Sequence, residues 1–252
     1  MAKYLTEFNT YAEYQAATLS LPNVSLIKST GKVYYKNVFA GASLGDILMW
    51  DNVNNKFVTT IGGNWDSTIY PIAQYEPIAI NVYPASQASD GKSRYMALRW
   101  ASNTSDTGST SSVGVVWGNY GDNLTSKDQT ALNGRENTDK ALALADGTTA
   151  NTQAAFAAFA AVNRFRTNGT KQGDWYLPSK GELSLYQSNY ADINAKITAI
   201  KKSSSSIVNT VINNQWTSTE NSDSIVLILS NSGSFSNYTR SAKVCARGMI
   251  AL

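Results

Sequence analysis

Gly173-Asp174-Trp175-Tyr176-Leu177-Pro178-Ser179-Lys180-Gly181-Glu182-Leu183 joins aromatic anchors, a proline and a helix start within eleven residues. Ser179 and Glu182 stand at capping-box spacing, in which a hydroxyl and a carboxylate satisfy the free amides of a helix start. Pro178 sets the helix entry, and Trp175 and Leu177 read as core anchors just before it. Leu183, Tyr186 and Tyr190 then fall on one helical face. Ile193, Ile197 and Ile200 repeat that spacing in a following helix, with Lys201 and Lys202 placed favourably at its C-terminal end. Further on, Gln215-Trp216-Thr217-Ser218-Thr219-Glu220-Asn221-Ser222 supplies a third anchor, Trp216.

Around these segments the chain reads as α+β. Ser224 to Leu229 is a continuous apolar run, expected as a central strand. Asn231-Ser232-Gly233-Ser234 is a turn, Phe235 to Tyr238 returns, and residues 242–251 close the chain. Upstream, Asn151 can cap a helix over 152–166, with Phe156, Phe159, Val162 and Phe165 on its buried side and Gly169 as its stop. Residues 101–150 read as a long loop broken by Val113 to Trp117, and loops of that length are usually functional. Residues 77–83 and 94–100 read as strands.

Residues 47–50 and 56–60 form a hairpin within 39–74, expected as a small β connector. Residues 1–38 combine a capping box at Thr10 to Glu13, a helix over 11–19 and two strands, 24–27 and 32–35. That unit is too small to bury a core of its own. The expectation is therefore three parts: a helix-plus-hairpin segment over 1–38, a connector over 39–74 and one domain over 75–252.

Composition removes several functional classes. The chain has 252 residues and no histidine, which excludes Ser-His-Asp and Cys-His mechanisms within it. Net charge is +3 with no basic block, so nucleic acid is not an expected partner. No apolar run approaches a membrane span. The first residues do not read as a signal peptide, and the lone Cys245 suits folding in a reducing cytoplasm. Asp174 and Glu220 read as acceptors for loop amides rather than as an acid–base pair. Asp122, Asp174, Glu220 and Asp223 offer hard oxygen ligands, but their spacing matches no calcium loop. No metal and no cofactor is expected.

Residues 135–252 resemble the C-type lectin-like domain of the Lcl C-terminal type. That pattern runs through an alanine-rich helix (here Phe156 to Phe165), D-W-x-L-P-[ST]-x-x-E-L (Asp174 to Leu183), W-[ST]-S-T-E (Trp216 to Glu220), a turn glycine (Gly233) and a final strand ending V-R (Val244 to Arg247). The resemblance implies a binding fold with a loop-built surface. Formylglycine-generating enzymes share the broad fold, but their chemistry needs cysteines acting together, and Cys245 stands alone.

The first forty residues resemble N-terminal segments of structural proteins in crAss-like tailed phages, which dock fibres or decorations on the particle. That likeness implies a bacteriophage virion protein, either a head fibre, a capsid decoration or a tail attachment protein. It would be assembled in the host cytoplasm, anchored to other virion proteins through residues 1–38, and form a homo-oligomer, expected as a trimer.

Exposed Asn, Ser and Tyr resemble the variable residues of retroelement-diversified phage receptor-binding proteins, and chemically they suit adaptable recognition. The candidate ligand-binding residues are Asn221, Asp223, Asn231, Ser232, Ser234, Asn237 and Tyr238, with Trp117, Asn119, Tyr120 and Asp122 as a second wall. The ligand implied is a host-surface glycan or protein. The alternatives are a cementing or tail protein with no ligand and, less favoured, a polysaccharide-degrading enzyme working through Asp174 and Glu220.

Overall fold

The computed structural model describes residues 5–8, 24–27, 32–35, 42–60, 65–102, 104–109, 114–118, 125–144, 156–203 and 214–252. In chain order the strands and helices are β1 (Leu5–Phe8), β2 (Val24–Ile27), β3 (Lys32–Tyr35), β4 (Ile47–Asp51), β5 (Lys56–Thr59), β6 (Tyr75–Tyr83), β7 (Arg94–Ala97) and β8 (Gly114–Val115). There follow α1 (Gly134–Leu144), α2 (Ala157–Arg164), α3 (Ser184–Ser188), α4 (Tyr190–Ser203), β9 (Gln215–Glu220), β10 (Ile225–Leu229), β11 (Phe235–Thr239), β12 (Val244–Cys245) and β13 (Met249–Ala251). The class is α+β. No described helix is long and apolar enough to cross a membrane.

Two five-stranded sheets carry the larger part, in the orders β13-β7-β6-β4-β5 and β11-β10-β9-β12-β8. The inner strands β4, β6 and β7 are buried along most of their length, on both faces. Along β4, Leu48 enters one core with Trp175, Trp216, Phe159 of α2 and Phe165 just after it. Its neighbours Ile47 and Met49 enter a second core with Tyr186, Ile193, Ile197 and Ile200 of α3 and α4. Successive strand residues point to opposite faces, so one strand feeds both cores.

The 47–60 hairpin forms as expected, with Leu48 opposite Thr59 and Asp51 opposite Lys56. It does not stand apart as a connector. Ile47 pairs with Ile80 and Leu48 with Ala79, so the boundary expected at residue 75 falls inside one sheet. The reason is burial: Ile47, Leu48 and Met49 are all fully enclosed.

The first three strands make a sheet of their own, in the order β1-β2-β3. β2 and β3 are the expected antiparallel pair, and β1 adds a parallel strand that local patterning did not reveal. The Thr10 capping box, the helix over 11–19 and the Asn151 cap lie outside the described residues.

The capping box is present. The Ser179 amide donates to Glu182 Oε2 at 2.9 Å, and the Glu182 amide donates to Ser179 Oγ at 3.3 Å. The carboxylate reaches further: Oε1 accepts from the Tyr176 hydroxyl at 2.9 Å and from Arg94 Nε at 3.4 Å. Tyr176 also exchanges backbone hydrogen bonds with Met249. Burial pushes the Glu182 pKa up, and the Ser179 amide, the Tyr176 hydroxyl and Arg94 pull against it.

Helix α1 interrupts the stretch expected as a loop. Its buried positions, Gly134, Asn137, Thr138 and Ala141, have helical spacing, but two are polar and the other two are small. Each polar side chain has a partner. Asn137 Nδ2 donates to Ser218 O at 3.2 Å, and Thr138 Oγ1 accepts from the Leu177 amide at 3.0 Å. A helix that buries hydrogen-bonding groups leaves no hydrophobic period to read.

Gly134 lies so close to the capping box that a Cβ would sit 2.3 Å from Glu182 Oε2 and 2.7 Å from Leu177 O. Glycine-to-alanine exchange in a helix ordinarily stabilises by up to about 1 kcal/mol. Here we expect the opposite sign: Gly134→Ala lowers the melting temperature in a thermal denaturation followed by circular dichroism. A rise would mean that α1 does not pack against Glu182.

Candidate binding surface

The expected site residues cluster on the β9-β10-β11 part of the second sheet. β10 is second from the edge and almost wholly buried; β11 is the edge, with Asn237, Tyr238 and Thr239 exposed. The two pair without interruption, from Ile225 opposite Thr239 to Leu229 opposite Phe235.

Strand alternation divides the candidates. Tyr238 meets the Trp216 ring edge-on at 6.3 Å, on the face shared with Val226, whereas Asn237 points to the opposite face. Consecutive residues of one strand cannot line one site, so Asn237 and Tyr238 do not act together. Asn231, Ser232 and Ser234 lie on the turn at the other end of the hairpin; at strand rise Ser234 is roughly 10 Å from Asn237, and the other two lie beyond it. There Tyr190 of α4 donates to Asn231 O at 3.2 Å. Gly233, at φ +79, leaves only 2.8 Å between a hypothetical Cβ and the Tyr190 ring, so the turn is pinned to the helix. Burial pushes the Tyr190 phenol up to about 12.

On the Asn237 face the structure assembles a cross-linked polar ribbon. Lys180 Nζ donates to Gln129 Oε1 at 2.6 Å and sits 5.3 Å from the centre of the Phe235 ring. Gln129 Nε2 donates to Asn221 Oδ1 at 3.4 Å, and Asn221 Nδ2 donates to Asn237 Oδ1 at 3.0 Å. Beside it, Lys127 and Asp223 pair at 3.0 Å. Two loops and two strand ends thus converge on one exposed row of amides and an ammonium. Asn221, Asp223 and Asn237 were legible as candidates. Gln129 and Lys180 were not, because one stood in the presumed loop and the other inside the capping box.

Trp117, expected as a ligand wall, is a core residue. It is fully buried, its indole N–H donates to Thr217 O at 2.6 Å, Phe159 packs edge-on at 4.9 Å and Arg240 covers its ring at 4.9 Å. Its place at the end of the Val113 to Trp117 run, directly before Gly118-Asn119, concealed that burial. Asn119, Tyr120 and Asp122 lie outside the described residues.

The two acids read as amide acceptors hold those positions. Asp174 Oδ2 accepts from the Lys171 amide at 2.8 Å, and Glu220 Oε1 accepts from the Thr125 amide at 3.0 Å. Glu220 also pairs with Arg240 at 3.2 Å, both side chains fully enclosed. Cys245 is buried. No three His, Cys, Asp or Glu side chains converge on a metal-sized point among the described residues. A depression of about 390 Å³ beside α4, lined by Leu44, Asn189, Asp192, Ile193, Ala195 and Lys196, includes none of the candidates.

No protein-family model matches the chain, and no curated protein does. Among solved structures, a fimbrial protein from Bacteroides ovatus ATCC 8483 is similar at 18% identity and a TM-score of 0.48, over 84% of this chain and 49% of that one. The chain thus spans about half the length of that structure, and the likeness is too low to assign a fold or a role.

A catalytic Glu220 could be replaced with little effect on folding; a structural one could not. We expect Glu220→Ala to strand Arg240 in the core and cost roughly 3–5 kcal/mol of stability, read from the urea denaturation midpoint. An unshifted midpoint would contradict the structural role.

Proposed function

We propose that the chain is a structural protein of a bacteriophage virion, a head fibre or capsid decoration, that presents a C-type lectin-like domain for attachment to the host surface. Residues 1–38 anchor it to other virion proteins, and the C-terminal domain faces outward. The observation that carries the attachment role is the ribbon Lys180-Gln129-Asn221-Asn237, because neutral amides beside an aromatic ring suit the hydroxyl-rich surface of a glycan. The separate three-stranded sheet over residues 5–35 supports an anchor distinct from the display domain. The role is recognition rather than catalysis, in keeping with the enclosed Glu220–Arg240 pair.

A second reading, a cementing protein without a ligand, draws on the same ribbon. Its amides already bond one another, which lowers their demand for an outside partner. Particle adsorption separates the two. The triple variant Gln129→Ala, Asn221→Ala, Asn237→Ala is expected to lower host adsorption roughly tenfold or more while particles assemble normally. Unchanged adsorption would favour cementing. Deleting residues 1–38 is expected to abolish incorporation into particles; particles that still carry the truncated protein would remove the anchor assignment.

A further inference from the structure

Sheet edges expose unpaired backbone groups, and proteins blunt them with charge, proline, bulges, short strands or cover. The other edges of the two five-stranded sheets have such a device among the described residues. β5 carries Lys56. β8 has two residues. β13 is closed by Tyr176, whose amide and carbonyl both bond Met249.

β11 differs. Phe235-Ser236-Asn237-Tyr238-Thr239 has no charge and no proline, its pairing with β10 has no bulge, and its last three residues are exposed. The Ser230 amide donates to Ser234 O at 2.8 Å, which sets the alternation of the hairpin. By that alternation Ser236 and Tyr238 bond back to β10, and the backbone groups of Phe235 and Asn237 point outward.

We propose that β11 is an interface at which a second copy of this chain adds its own β11, antiparallel, about a two-fold axis through Asn237. A two-fold interface must be self-complementary, and this strand meets that condition. Asn237 faces Asn237 of the copy in a doubly hydrogen-bonded pair. Ser236 faces Tyr238, and Phe235 faces Thr239, so no like charges are opposed. An edge with a lysine or glutamate on its axis would repel itself. The pairing joins two five-stranded sheets into one continuous sheet and sets the two Asn221–Asn237 ribbons side by side on one face. It is a two-fold association, unlike the three-fold one expected for a fibre, and it does not depend on the attachment reading.

Sedimentation equilibrium of the full chain over a concentration series tests it, with Asn237→Pro and Asn237→Lys as variants. Proline removes the outward amide without touching the bonds to β10. Lysine keeps the backbone but opposes two charges across the axis. The wild type is expected to populate a dimer. Both variants should raise the dissociation constant roughly tenfold or more, with melting temperatures close to wild type, and added salt should partly restore the lysine variant. A wild type that stays monomeric throughout overturns the proposal. So does a dimer that both variants leave intact, or β11 amides protected from hydrogen exchange only in whole particles, which would give the edge to another virion protein.

Discussion

The buried carboxylate of Glu182 ties the capping turn to β7 and to the segment beside β13. It caps the turn leading into α3, accepts from Tyr176 beside β13 and pairs with Arg94 of β7. It also sets how closely α1 can approach, since only a glycine fits at residue 134. Enclosing a carboxylate is costly unless it is paired and fully hydrogen-bonded. Glu182 meets that condition only when the cap, the tyrosine and the arginine arrive together. The motif that first marked the fold is therefore also its junction, and the two cores are built to either side of it.

Local spacing made part of this legible. The capping box, the α4 isoleucines, the apolar β10 and the three tryptophan and leucine anchors Trp175, Leu177 and Trp216 all follow from residues within a few positions of one another. What escaped depends on distant partners. Helix α1 buries Asn137 and Thr138 against Ser218 and Leu177, so its buried face carries no hydrophobic signal. β4 joins a sheet whose neighbouring strand begins beyond an intervening loop, and no local pattern announces that pairing. β1 pairs in parallel with β2 across a long connection, which has the same consequence.

The candidate site shows the same division. Loop composition pointed to Asn221, Asp223 and Asn237, and the structure brings them to one end of one face. It could not show that Tyr238 lies on the reverse of the strand or that Asn231, Ser232 and Ser234 occupy the far turn. Trp117 misled because Gly118-Asn119 follow it directly, whereas its partners Phe159, Arg240 and Thr217 come from elsewhere. Gln129 and Lys180 join the ribbon only once α1 and the capping box are in place. The surface is thus held by scaffold on every side, and its geometry is set before any ligand arrives.

We propose that this ribbon, at the β9–β10 turn and the exposed edge strand β11, is where the protein meets the host. Hydrogen–deuterium exchange of the intact chain with and without purified host-surface polysaccharide tests it directly. Slowed exchange is expected at residues 127–129, 219–221 and 235–239, with the Asn231 turn little changed. Protection confined to other segments, or none at saturating polysaccharide, would contradict it.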